Sequence, residues 1–219
     1  MTLRIYNTRT GEKEPFTPLE PGRVSIYVCG VTTYNYCHIG HGRAMVVFDV
    51  VARELRRRGL EVNFVRNYTD VDDKIIRRSL QESISAQEVS DKYVHATQED
   101  ILALGCHPPT VEPRVTEHMD DIISLIQRLV EKGHAYPSNG DVYFSVESFT
   151  PYGRFSNRNL EDLRAGSRIE INEQKANPLD FALWKAAKPG EPAWESPWGG
   201  GRPGWHIECS AMSAHYLGE

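Results

Sequence analysis

The first third of the chain shows two periods in its apolar positions, one of two residues and one near 3.6. Residues 24–29 alternate and are rich in β-branched side chains, which is typical of a strand. Residues 44–58 place apolar side chains at helical spacing, and Gly59 is well placed to end that helix. Residues 60–66 repeat the strand pattern. Strand, helix and strand in succession predict a right-handed βαβ unit and a parallel sheet.

The same patterns predict helices over 85–104 and 116–132 and a strand over 141–146. Proline and glycine are so frequent over 187–204 that we expect no regular structure there. The composition divides the chain into the first part of an α/β domain (1–120), an inserted connective subdomain (121–200) and a return to the α/β domain (201–219).

Composition and charge narrow the class of protein. The chain has 219 residues, 40% of them hydrophobic, and a net charge of -5, so no overall basic field attracts it to nucleic acid. The N-terminus lacks the apolar core of a secretory signal, and no apolar run is long enough to span a membrane. The four cysteines form no CxxC motif, which indicates reduced thiols or metal ligands in a cytoplasmic protein.

Two histidines occupy the turn between the predicted first strand and the following helix, in the His-Ile-Gly-His sequence of residues 38–41 (the HIGH motif). Open α/β sheets bind ligands at this position. Imidazole N–H groups of His38 and His41, together with the free backbone N–H groups of a helix N-terminus, would attract an anion. Gly40 would let a base or phosphate approach the backbone closely. On spacing alone, a nucleotide phosphate site and an ordinary capping turn both stay open.

Cys29 at the predicted strand end and the distant Cys209 offer two soft ligands of the kind that zinc prefers. Three further donors lie near Cys209 in the sequence: His206, Glu208 and His215. Buried cysteines that only fill space are common, so core packing is the alternative interpretation for this pair.

Other polar and aromatic residues favour structural roles. Asp70, Asp72 and Asp73 suit helix capping better than magnesium ligation. Core or loop packing is also the simpler role for two cysteines and three tryptophans: Cys37, Cys106, Trp184, Trp194 and Trp198.

Five segments together resemble the catalytic domain of cysteinyl-tRNA synthetase, a class I aminoacyl-tRNA synthetase: 27–43, 67–76, 140–146, 177–185 and 196–212. The last segment, SPWGGGRPGWHIECSAM, extends the likeness well beyond the HIGH motif. One departure is Val31, where the family usually carries proline. The resemblance implies a Rossmann-type (HUP-like) α/β nucleotide-binding domain with an inserted subdomain.

The resemblance further implies an enzyme that activates L-cysteine with ATP and Mg²⁺ and transfers it to tRNA(Cys). His38 and His41 match the family's catalytic histidines, which stabilise the ATP phosphates, and Gly40 completes that ATP-binding motif. A monomer is expected.

Cys29 and Cys209 match two ligands of the family's substrate-recognition zinc, and Thr69 and Trp205 match positions of its cysteine pocket. The other two zinc ligands, the KMSKS loop and the anticodon-binding domain are expected beyond Glu219, so the isolated chain is expected to be inactive. Two alternatives are the cysteine ligase of the mycothiol pathway and a non-catalytic nucleotide- or zinc-binding remnant.

Overall fold

The computed structural model describes residues 2–157 and 175–218. The helices of this part of the chain are α1 (Ile39–Arg57), α2 (Asp73–Glu82), α3 (Ala86–Ala103), α4 (Met119–Glu131) and α5 (Ile207–Leu217). The strands are β1 (Arg4–Asn7), β2 (Glu12–Pro15), β3 (Arg23–Val28), β4 (Glu61–Arg66), β5 (Ala135–Ser138), β6 (Asp141–Phe144), β7 (Phe181–Ala186) and β8 (Gly201–Pro203). Residues 158–174 of the predicted inserted subdomain lie outside the described residues.

The predicted βαβ unit is confirmed. β3 and β4 pair in parallel along their whole length, and α1 connects them. Beyond the strand ends, parallel bridges between Thr32 and Thr69 and between Tyr68 and Arg114 extend the same sheet. The predicted helices over 85–104 and 116–132 correspond to α3 and α4. The α/β class with a parallel sheet is therefore confirmed.

A four-stranded antiparallel sheet, in the order β5-β6-β7-β8, follows α4. The expectation of no regular structure over 187–204 was wrong for Gly201–Pro203, which form β8 against β7. Gly201 explains the exception, because a Cβ there would lie 2.3 Å from Nε1 of Trp184. Glycine commonly interrupts a strand, but here Gly201 lacks a side chain that would keep the edge strand β8 away from the Trp184 ring.

The largest hydrophobic cluster joins α4, α5 and the antiparallel sheet. Ile122 and Ile126 of α4 are fully buried and belong to one cluster with Trp184 of β7 and Met212 of α5. This core contains residues from all three parts of the chain that the composition suggests, 1–120, 121–200 and 201–219. The division into these parts stays a prediction. Among residues 2–157 and 175–218, no helix has the length and apolarity needed to cross a membrane.

Candidate functional site

The two histidines of the HIGH motif build the N-terminus of α1. The helix begins at Ile39, earlier than the apolar pattern predicts, because His38 serves as its N-cap. Nδ1 of His38 accepts a hydrogen bond from the Gly40 N–H at 3.0 Å, and the His38 N–H donates to Nδ1 of His41 at 3.3 Å. The two imidazole rings stack, with their centroids 3.8 Å apart. The histidines therefore form a reciprocal cap of the kind that Ser and Glu make in a capping box.

These hydrogen bonds fix where the two neutral rings carry their protons. Because both Nδ1 atoms accept backbone N–H groups, the proton of each neutral ring lies on Nε2. Burial, and then the electrostatic effect of the neighbouring His38 ring, lower the pKa of His41, which favours its neutral form. Each ring thus keeps one N–H donor that is not used in the cap, close to the positive end of the α1 dipole.

Gly40 has a more specific role than the open approach expected from the sequence. A Cβ at this position would lie 2.8 Å from Cε1 and 3.0 Å from Nδ1 of His38. The space left by the missing side chain is thus occupied by the His38 ring. Gly40 allows the ring to fold back over the helix terminus.

The end of β3 is held against the neighbouring strand by Gly30. The Gly30 N–H donates to Oδ1 of Asn67 at 2.8 Å, and a Cβ at Gly30 would lie 1.5 Å from the Asn67 carbonyl oxygen. Only glycine permits this approach, which places Cys29 and Thr69 at adjacent strand ends. Parallel strands present their ligand-binding residues at this edge.

Cys29, His206 and Cys209 come together, with their potential ligand atoms within 4.8 Å of one another. Sγ of Cys29 lies 3.9 Å from Nδ1 of His206. His206 has a left-handed backbone (φ 60°) immediately before α5, and Cys209 lies in the first turn of that helix. The structure thus unites the two predicted thiols with His206, whereas His215 lies elsewhere.

The contact between the two thiols moves their pKa values in opposite directions. Its hydrogen bond with Cys209 lowers the pKa of Cys29, and the same contact together with burial raises the pKa of Cys209. Two thiols and an imidazole this close together are suited to a soft divalent cation, which would displace the thiol protons on binding. The donor set of two sulfurs and an imidazole therefore fits zinc.

A cavity of about 210 Å³ opens beside this cluster, and Cys29, Cys209, Thr69 and Trp205 all contribute to its wall. Its volume lies below the ~300–1,000 Å³ of pockets for drug-sized ligands, so it suits a small molecule. A second cavity of about 100 Å³ has mostly apolar walls, and Cys29, Gly30 and His41 are among its lining residues. Cys29 and Gly30, which follow β3, therefore line both cavities, and His41 lines the second.

Trp205 is 69% exposed and rests against the His206 ring, with centroids 4.8 Å apart. The remaining tryptophans pack in or against the largest core cluster, as predicted, and Cys37 and Cys106 pack around Met45, also as predicted. Trp205 is therefore the tryptophan of the described chain that is free to contact a ligand in the cavity.

Glu208 is a feature of the cavity whose character the sequence did not reveal. Its side chain is buried, and within the described chain its Oε2 has no hydrogen-bond partner. Burial raises the pKa of Glu208 to about 7. From the sequence, Glu208 could be recognised as a possible ligand next to Cys209. Its burial could not be predicted, because the sequence does not show which side of α5 packs against the rest of the protein.

The three aspartates that follow β4 have three different partners. Asp72 caps α2, since its Oδ1 accepts the Lys74 N–H at 2.8 Å, and this prediction is confirmed. The capping prediction was wrong for Asp70, which is buried and accepts hydrogen bonds from the backbone N–H and the hydroxyl of Thr116 at 3.0 and 2.6 Å. Asp70 therefore fastens the end of β4 to the segment before α4.

The capping prediction was also wrong for Asp73. Its carboxylate pairs with Nζ of Lys185 at 2.7 Å and with Nη2 of Arg202 at 2.8 Å. Arg202 is buried and also pairs with Glu191. This network ties α2 to the antiparallel sheet at the rim of the larger cavity.

Comparison with known proteins defines the class. The model of the family described as tRNA synthetases class I (C) catalytic domain matches residues 15–219, and the chain belongs to that family. The cysteine--tRNA ligase of Pelobacter propionicus is 61% identical over 219 residues, and that of Syntrophotalea carbinolica is 60% identical over the same length. The whole chain is covered in both matches, but it spans only 44% and 46% of those relatives.

Among solved structures, the ternary complex LeuRS-tRNA-LeuAMS of Agrobacterium radiobacter K84 aligns with 60% of this chain and 18% of its own, at 20% identity and a TM-score of 0.47. The family and the curated relatives favour the synthetase over the mycothiol-pathway ligase and over a non-catalytic remnant.

Proposed function

We propose that the protein to which this chain belongs is a cysteine–tRNA ligase. It activates L-cysteine with ATP and Mg²⁺ and transfers the cysteinyl group to tRNA(Cys), acting as a monomer in the cytoplasm. The observation that carries the proposal is the shared wall between the two cavities. Cys29 and Gly30 line both cavities, and His41 of the HIGH motif lines the second, so an amino acid bound beside the thiols would lie near the helix terminus at which the ATP phosphates are proposed to bind.

The role proposed for His38 and His41 follows from their fixed protons. The carboxylate of the amino acid attacks the α-phosphorus, the bond between the α- and β-phosphates breaks, and pyrophosphate leaves, while negative charge increases on the phosphate oxygens during the attack. Two Nε2–H donors already held by the cap would meet that charge without further reorganisation. The dipole of α1 adds to the same field.

The proposed zinc ligands within this chain are Cys29 and Cys209, with His206 next to them. Bound zinc would supply a soft Lewis acid that takes the thiolate of the substrate. A pocket without metal distinguishes a sulfur from an oxygen poorly, since one-atom differences are worth only about 1–3 kcal/mol. Thr69 and Trp205 would then line the remaining surface of the amino acid.

The experiment uses a chimera in which this chain replaces the matching segment of the Pelobacter propionicus ligase. Zinc content is measured by mass spectrometry, and cysteine-dependent ATP–pyrophosphate exchange gives the KM for cysteine. We expect Cys209→Ser to lower zinc content and raise this KM at least tenfold.

Cys106→Ser is the matched control, because Cys106 is a buried thiol in the separate cluster around Met45. It should change neither quantity. Equal zinc content and equal KM in the two variants would refute the ligand assignment. A chimera without exchange, beside an active parent enzyme, would refute the proposed activity of this chain.

A further inference from the structure

A second group of metal-ligating side chains lies between α4 and α5, outside the cavities described above. It consists of His118, which immediately precedes α4, Asp121 in the first turn of α4, and His215 in the last turn of α5. We call this group the α4–α5 histidine cluster. Its potential ligand atoms all lie within 4.8 Å of one another.

One carboxylate oxygen is the centre of the cluster. Oδ2 of Asp121 lies 2.9 Å from Nδ1 of His118 and 3.1 Å from Nδ1 of His215. Ligand atoms bound tetrahedrally at 2.0–2.1 Å from zinc are about 3.3 Å apart. The two nitrogen–oxygen separations are thus within a few tenths of an ångström of those in a metal site.

The surroundings of His118 resemble the outer shell of a metal ligand. The ring is buried, and its Nε2 lies 3.0 Å from the hydroxyl of Tyr216. A hydroxyl can accept the Nε2–H of a ring whose Nδ1 binds metal, and such a partner fixes the orientation of the ring. The side chains of Asp121 and His215 are 40% and 47% exposed, so an ion could enter from solvent.

We propose that His118, Asp121 and His215 bind a divalent transition-metal ion such as Zn²⁺, with water completing its coordination. Two imidazole ligands suit zinc, nickel and copper better than the hard cations Mg²⁺ and Ca²⁺, which prefer all-oxygen sites. His215 lies six residues after Cys209, roughly 9 Å along the helix axis, so this ion would be distinct from one bound by the thiols. It would join α5 to α4 and so hold the helix that carries Cys209.

The test removes the thiol site first. In the 219-residue chain carrying Cys29→Ser and Cys209→Ser, we titrate Zn²⁺ by isothermal calorimetry and follow the melting temperature. We expect about one Zn²⁺ per chain and a rise in melting temperature. Adding His215→Gln should weaken the affinity at least tenfold and abolish the thermal shift.

His95→Gln in the same background is the matched control, because His95 also faces a carboxylate, that of Glu99, at 3.2 Å on a solvent-exposed helix surface. It should leave the zinc affinity unchanged. Asp121→Asn provides a second variant that retains the shape of the side chain, and it should lower the affinity for Zn²⁺ as His215→Gln does. If the double-serine chain binds no zinc, or binds it equally with and without His215, the cluster is only a hydrogen-bonded network and the proposal is wrong.

Discussion

Replacing Gly40 with alanine should separate the stability of α1 from the chemistry of its N-terminus. The new methyl group would lie 2.8 Å from Cε1 of His38, closer than real Cβ contacts. The His38 ring is exposed and attached by rotatable bonds, so it would swing away rather than distort the helix. That movement breaks the hydrogen bond from the Gly40 N–H and ends the stacking on His41.

The expected change in stability is small because two effects of opposite sign nearly cancel. Losing a side-chain N-cap costs about 1 kcal/mol, whereas alanine in place of glycine at an unstrained helical position contributes about 0.4–1 kcal/mol. The net change in the free energy of unfolding should stay within about 1 kcal/mol. For a chain of this length that corresponds to a melting-temperature shift of no more than about 4 °C.

The expected change in activity is much larger. If His38 supplies a positioned donor to the α-phosphate, its displacement should lower the kcat of ATP–pyrophosphate exchange in the chimera by about 10²–10³-fold, the effect of losing one oxyanion-hole donor. Gly42→Ala is the control in the same helix, because its Cβ would meet only Cδ1 of Leu104, at 3.2 Å. Exchange by Gly40→Ala at the rate of Gly42→Ala would refute the role assigned to the cap.

Three further predictions concern pH, the core and the isolated chain. The hydrogen bonds and charges of Lys185 and Arg202 outweigh burial and lower the pKa of Asp73 to about 2 from 3.8. The ionised carboxylate therefore stabilises the folded chain above about pH 4, and this stability is lost as pH falls towards 2. When melting curves are recorded at decreasing pH, Asp73→Asn should lose roughly 1 kcal/mol less stability over this range than the unmodified chain, since the group is half exposed. An acid limb identical to that of the unmodified chain would contradict this. Ile126→Ala should cost about 2–5 kcal/mol in urea unfolding, while Leu102→Ala at an exposed position should cost under about 1 kcal/mol; similar costs would argue against the shared core. The 219-residue chain alone should show no cysteine-dependent exchange, and robust exchange by the pure chain would disprove its dependence on the rest of the enzyme.

The fold could be predicted from the sequence where local periodicity and burial coincide. The unit from β3 to β4 follows from alternating and helical patterns because β4 is buried and α1 has a polar face. The start of α1 was placed too late, since two histidines and a glycine carry no helical pattern and their cap exists only through side-chain geometry. β8 was missed because its contact with Trp184 joins residues distant in sequence.

The candidate site also has features that could be predicted from the sequence and features that could not. The HIGH motif and the two cysteines could be identified from residue type and from resemblance to the synthetase family. Which of the three nearby donors joins the thiols could not, because the sequence alone does not show that His206 faces them while His215 lies elsewhere. The pairing of Asp73 with Arg202 was likewise hidden, since a carboxylate before a helix fits capping equally well from sequence alone.

The distance in sequence between Cys29 and Cys209 has a consequence for how the site comes into being. One thiol lies near the beginning of the chain, and its partner is 180 residues later. At about 5–20 residues per second, a ribosome needs roughly 10–35 s to synthesise the intervening chain. During that time Cys29 lacks its partner Cys209, so the proposed zinc could not nucleate folding as it does in a zinc finger. On this proposal the metal would instead be acquired late, after α5 has packed against the rest of the fold and brought Cys209 to Cys29.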